Sequence, residues 1–153
     1  MRLLNAAIGF LVIAVLVGAL AAAGSGANTS VTRLELDGVP FHPELALTSA
    51  SRVRGLMNRR QAPEDGMLFV YRRDTTGGFW MKDTLVPLTI VFFSADGKRV
   101  RRLSMKPCRS DPCPIYSPHR RYRFALELRA SDTRPATRLG PLRELRRLSR
   151  IAS

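Results

Sequence analysis

The stretch Phe79-Trp80-Met81-Lys82-Asp83-Thr84 gathers more chemistry than any other part of the chain. Read as an extended strand running to Leu85, it alternates its side chains between two faces. Trp80, Lys82 and Thr84 then share one face, and Phe79, Met81, Asp83 and Leu85 the other. An aromatic plane, a cation and a hydroxyl within two strand steps suit stacking on a sugar ring or holding an anionic group. Arg54, Arg60 and Tyr116 are candidates to complete such a pocket. The same residues also support a structural reading. Trp80 is then a central core residue, the Lys82 stem runs along apolar surface to water, and Asp83 needs a partner in a buried ion pair, with Arg54 as the candidate. Sequence alone leaves both readings open.

Catalysis finds little footing. Lys82 with Asp83 or Glu127 is an imaginable acid and base, but Lys82 and Asp83 are neighbours on a strand and point to opposite faces. The serines sit in no G-x-S-x-G elbow, and neither a phosphate loop nor a dinucleotide fingerprint is present. The two cysteines, Cys108 and Cys113, stand in Pro-Cys-Arg-Ser-Asp-Pro-Cys-Pro, without the C-x-x-C spacing of thiol oxidoreductases. Zinc would need three or four ligands, and His42 and His119 form no recognisable spacing with the cysteines. A disulfide is the better expectation for an oxidising compartment. No metal site and no cofactor is expected.

The compartment is argued from the N-terminus. Arg2 precedes an almost unbroken apolar run from Leu3 to Ala23, broken by Asn5, Gly9 and Gly18. A positive start followed by an apolar stretch is how secretory and membrane signals read. As a helix the run would reach roughly 31 Å, enough to cross a bilayer core. Small residues at Ala19/Ala21 and Ser25/Ala27 also suit signal peptidase, so residues 1–27 read either as a cleaved signal or as a single-span anchor. No cysteine follows the run, which excludes lipoprotein processing. In either case residues 28–153 form one extracytoplasmic domain, in the periplasm or cell envelope.

Net charge is +13, from 25 Lys+Arg against 12 Asp+Glu, and lysine occurs only at 82, 98 and 106. Such a chain attracts polyanions. Export argues against nucleic acid and leaves lipid headgroups, lipopolysaccharide phosphates or acidic polysaccharides as anionic partners; the plain alternative is arginine on solvated surfaces.

The elements that must position these residues are mostly short strands. Val31–Leu36 and Phe41–Leu47 flank an Asp37-Gly38-Val39-Pro40 turn, with Pro43 marking an edge strand. Thr48 or Ser49 caps a helix running to Arg59, with Val53, Leu56 and Met57 at helical spacing and Gly55 inside it. Further strands are expected at Met67–Tyr71, Gly78–Leu85, Leu88–Ser94, Arg99–Met105 and Tyr122–Leu128, with Asp96-Gly97 as a hairpin turn. The fold class that follows is mainly β, a small sandwich or open barrel with one short helix. In the tail, Leu142, Leu145, Leu148 and Ile151 lie among arginines. They read as a frayed end with leucines packed on the sheet, or as a basic amphipathic helix on an anionic surface.

Arg54-Gly55-Leu56-Met57, Gly66-Met67-Leu68-Phe69, Phe79–Thr84, Pro87-Leu88, the Pro-Cys loop and Leu126-Glu127-Leu128 occur in an order that resembles the bacterial and archaeal family catalogued as domain of unknown function 192. The resemblance spans about residues 45–140. It implies a compact, mainly β, sandwich-like domain, often with a signal or anchor, and no established activity. Asp83 stands where that family usually has Asn, Thr89 where it has an acid, and Arg129-Ala130-Ser131 replaces a glycine-containing turn. The expected role is therefore an uncharacterised exported domain that binds a small ligand, glycan or anion without catalysis. A structural or protein- or membrane-surface interaction module is the alternative, with the membrane contacted through the N-terminal segment if that segment is retained.

Overall fold

A computed structural model describes residues 33–153; the proposed signal or anchor lies outside the described residues. Leu34–Leu36 (β1) and Val39–Phe41 (β2) form a hairpin whose turn puts Asp37 and Gly38 at positive φ. Leu139–Gly140 (β10) pairs on the other side of β1, closing a three-stranded sheet in the order β10-β1-β2. The expected second strand, Phe41–Leu47, is divided at Pro43. Glu44–Ala46 (β3) leaves for a larger sheet, where it is indeed an edge strand. That sheet runs β3-β4-β9-β6-β7, with β4 Met67–Thr75, β6 Leu88–Phe93, β7 Arg99–Met105 and β9 Tyr122–Arg129. All its pairs are antiparallel except β3 with β4. A parallel pair needs a crossover, and this one carries the helix Ser49–Arg54 (α1) over one face of the sheet.

Because β4, β6 and β9 lie inside the sheet, both faces are buried over residues 67–70, 88–93 and 124–128, and these runs are apolar except at Thr89 and Glu127. Leu68, Val70, Val91, Phe93, Phe124, Leu126 and Leu128 face the three-stranded sheet and the C-terminal helix Leu142–Ile151 (α2). Met67, Phe69, Ile90, Phe92 and Ala125 face the crossover, together with Leu56 and Met81. The expected mainly β, sandwich-like class holds, with a second helix added at the C-terminus. The tail does not fray: Leu145 and Leu148 are fully buried, and Ala152 N–H closes the helix on the Leu148 carbonyl.

Two expectations about α1 are corrected. Thr48 caps it in a reciprocal box with Ser51, but the helix stops at Arg54 because Gly55 ends it. Gly55 has φ +44, a conformation that favours glycine, and its N–H bonds the Ser51 carbonyl. Val53 is left exposed, while Leu56, beyond the helix, enters the core.

Candidate functional site

At the centre of the large sheet, Glu127 on β9 lies between Met67 of β4 and Ile90 of β6. The period-two pattern directs its carboxyl to the crossover face, alongside Ala125 and away from Leu126 and Leu128. Its Oε2 is buried and has no hydrogen-bond partner among the described residues. Burial pushes the carboxyl up to about 8, so at neutral pH it carries its proton and can donate a hydrogen bond.

The carboxyl forms the floor of a narrow cleft. Arg54, Gly55, Phe69, Phe79, Trp80 and Thr84 are among the residues around it. Gly55 lets the Phe69 ring pack close: a Cβ there would stand 3.2 Å from Phe69 Cζ, and at an ordinary 3.8 Å from Glu127 Oε2. The deep end has a volume of only about 30 Å³, room for one or two waters. Sharing Arg52, Val53, Phe79 and Trp80, an outer depression of about 370 Å³ also takes in Ser49, Tyr71 and Gly78. Edge-to-face contacts hold the apolar wall, with ring centroids 4.9 Å apart for Phe69–Phe79 and 5.8 Å for Phe79–Phe92.

Phe79–Trp80 (β5) is the part of the expected strand that forms. It pairs antiparallel with Ile115–Tyr116 (β8), Trp80 opposite Ile115. Trp80 is 46% exposed, which removes the reading of it as a core residue. Alternation then fails at Asp83, whose φ is +55. The chain turns there, with Thr84 N–H on the Met81 carbonyl and Asn58 N–H on the Asp83 carbonyl. Thr84 is thereby buried beside the cleft, whereas Asp83 and Leu85 are exposed. A buried ion pair between Asp83 and Arg54 is excluded, because both side chains are exposed.

Trp80, Thr84 and Arg54 therefore meet at one cleft, and Lys82 does not join them. Its Nζ lies 2.7 Å from Asp111 Oδ2 and 5.8 Å from the Trp80 ring centroid. The hydrogen bond and charge of Asp111, with a smaller contribution from Asp83, hold the ammonium above its ordinary value. Asp111 belongs to the loop closed by the disulfide Cys108–Cys113, as expected from sequence. That loop docks through Cys108 N–H on the Met81 carbonyl. Neither Arg60 nor Tyr116 lines the cleft; Tyr116 Oη accepts from Lys106 N–H.

Of the two arginines at the cleft, Arg52 is occupied. It donates to the main-chain oxygens of Leu47, Val70 and Ser153 at 2.8, 3.0 and 2.6 Å, and to Ser49 Oγ. Its guanidinium also sits 5.0 Å from the centroid of the Tyr71 ring. Arg54 makes no hydrogen bond or ion pair among the described residues. The arrangement is a neutral carboxylic acid at the floor, a threonine hydroxyl beside it, a tryptophan face at the mouth and a free cation on the rim.

The sequence model of the family described as uncharacterised ACR, domain of unknown function 192, matches residues 32–137. The chain belongs to domain of unknown function 192. Within the described residues the match holds the cleft entire, from Arg52 and Arg54 on the crossover to Glu127 on β9. Two solved structures resemble this member of the family. One is a protein of Sinorhizobium meliloti 1021, provisionally described as a transcription regulator. It is 32% identical, and the match covers 65% of this chain and 81% of that one with a TM-score of 0.58. The other, a protein of unknown function from Novosphingobium aromaticivorans DSM 12444, is 24% identical over 66% of this chain and 75% of that one, also with a TM-score of 0.58, and speaks to the fold alone. A comparison with curated proteins finds no match.

Proposed function

We propose that this member of domain of unknown function 192 is a non-catalytic binding domain of the cell envelope that takes a small sugar-like ligand, acidic or neutral, in the Trp80–Glu127 cleft. The observation that carries the reading is Glu127 Oε2, buried at the cleft floor with no hydrogen-bond partner among the described residues. A buried polar group left unpaired costs roughly 1–3 kcal/mol, and a ligand oxygen accepting its proton would recover that. A half-exposed indole supplies a stacking plane for the ring, and the free Arg54 favours an acidic substituent at the rim. Among the described residues no second carboxyl group or thiol lines the cleft or its outer depression, so the lining offers no pair of carboxylates. An extracytoplasmic location is supported by the disulfide, since such bonds persist in oxidising compartments.

Trp80 is the only tryptophan, so its emission reports on this place alone. Titration with glucuronate and glucose is expected to shift that emission saturably, with glucuronate the tighter. Glu127→Leu is expected to weaken binding at least tenfold, because it removes the buried donor while keeping an apolar filler. No shift with either sugar at tens of millimolar, or equal affinity in the variant, would refute the proposal. A second reading, a protein-contact surface, is favoured by the exposed Ile115 and Val53 beside Trp80. It predicts association that Ile115→Ser weakens and sugars leave unaffected.

A further inference from the structure

On the opposite side of the large sheet, α2 borders a second, larger depression of about 670 Å³. Four arginines line it: Arg72 from β4, Arg123 from β9, and Arg146 and Arg150 from one face of α2. Asp96 is the only acid in the lining, and it is engaged by the Ser94 hydroxyl and, at 3.4 Å, by Lys98 Nζ. Ser149, itself nearly buried, offers a hydroxyl in the wall, and Leu142 and Leu145 supply an apolar base.

These arginines differ from many others in the chain. Arg52, Arg99 and Arg102 donate to main-chain oxygens, and Arg59 and Arg134 pair with carboxylates. Within the depression Arg123 is held by Asp74, with Nε and a terminal nitrogen both 2.8 Å from Oδ1, and so is fixed in place. Arg72, Arg146 and Arg150 have no hydrogen bond or ion pair among the described residues. Cations gathered in a concavity repel one another and focus positive potential there. A guanidinium is also shaped to hold a phosphoryl group through two parallel hydrogen bonds. The pattern fits a multiply charged oxyanion better than a solvated surface, because three unpaired guanidinium groups from two elements converge on one hollow.

We propose that the groove between α2 and the paired strands β4 and β9 is a second binding site, separate from the Trp80 cleft, for a phosphoryl group. Arg72, Arg146 and Arg150 bind the phosphate oxygens, and Arg123, oriented by Asp74, completes the cradle. Leu142 and Leu145 leave room for a short apolar or glycerol-like substituent.

The test uses the purified full chain in detergent and calorimetric titration with inorganic pyrophosphate at low and high salt. Saturable binding is expected, weakened at least tenfold by the paired change Arg146→Ala with Arg150→Ala. The control pair Arg101→Ala with Arg143→Ala removes two exposed charges outside the groove and is expected to alter affinity less than about threefold. Sedimentation with phosphatidylglycerol-containing vesicles then separates the sources of the group. Vesicle binding that pyrophosphate displaces identifies a lipid headgroup, and pyrophosphate binding without vesicle binding identifies a soluble phosphate ester; either supports the site. Absence of pyrophosphate binding, or equal loss in the two variant pairs, overturns it. Short duplex DNA that binds more tightly than pyrophosphate and is lost equally in both pairs also overturns it, in favour of non-specific nucleic-acid attraction.

Discussion

Ionisation of Glu127 should make this domain less stable in alkali, and the effect can be sized. Its folded-state value of about 8 stands above the ordinary 4.5. Between those two values the unfolded chain has released this proton and the folded chain retains it. The folded state then binds more protons, so stability falls as pH rises, from near 4.5 until the folded carboxyl also ionises near 8. Integrating the difference from pH 5 to pH 9 gives a loss of about 4 kcal/mol attributable to this one group, a large fraction of the 5–15 kcal/mol typical of a small domain. Glu127→Gln keeps size and polarity and removes the ionisation. Urea denaturation of both proteins at pH 5, 7 and 9 gives the contrast, because contributions of other groups cancel in the difference. The variant is expected to match or slightly trail the native chain at pH 5 and to exceed it by about 3–4 kcal/mol at pH 9. Parallel stability curves would refute the reasoning, since they would mean that the carboxyl finds water or a partner in solution.

Other consequences follow from particular contacts. Leu148→Ala should cost about 3 kcal/mol in chemical denaturation, because the tail is core and not a frayed end. Gly97→Ala should lower stability by more than about 2 kcal/mol, since φ is +77 and the new Cβ would stand 2.0 Å from the Leu139 carbonyl oxygen; a melting temperature unchanged from the native one would count against this packing. Opening Cys108–Cys113 with a reductant should remove roughly 2 kcal/mol by the loop-entropy relation and release the Asp111 contact to Lys82, seen as a lower melting temperature. Lys82→Ala should leave sugar affinity at the Trp80 cleft within about twofold, as its ammonium is exposed and directed to Asp111; a tenfold loss would place Lys82 at the ligand.

The strands were legible where one physical rule governed them. The Asp96-Gly97 hairpin, the apolar runs of β4 and β6, and the edge position marked by Pro43 all follow from local sequence, whereas the break that Pro43 makes in the strand expected from Phe41 to Leu47 does not. Helical spacing of Val53, Leu56 and Met57 suggests a longer crossover helix than the one that forms, because Gly55 stands between them. Gly55 in fact reverses the chain, and its lack of a Cβ admits the Phe69 ring. The three-residue leucine spacing of α2 fits either a packed helix or a frayed end until the three-stranded sheet is there to bury it.

The site was half legible for a related reason. Trp80, Thr84 and Arg54 do meet, yet the alternation along a strand to Leu85 that sets Thr84 beside Trp80 fails at Asp83. Thr84 reaches the cleft through a turn that only an unusual positive φ at a non-glycine residue allows. Lys82 satisfied the alternation and was drawn away by Asp111, a residue 29 positions on. From sequence Glu127 offers itself only as an acid or base beside Lys82. One signal did point to it: a single acid inside the apolar run from Phe124 to Leu128. An acid at that position must either leave the sheet interior or lie buried there, and strand alternation decides its face without saying whether a partner waits. The answer depended on the crossover from β3 to β4, which lays Gly55 over the carboxyl and brings no cation or hydrogen-bond donor to its Oε2. The same crossover sets Arg54 at the rim and ties Arg52 to the chain's last residues. One connection thus creates the unpaired acid, the opening above it and the cation beside it.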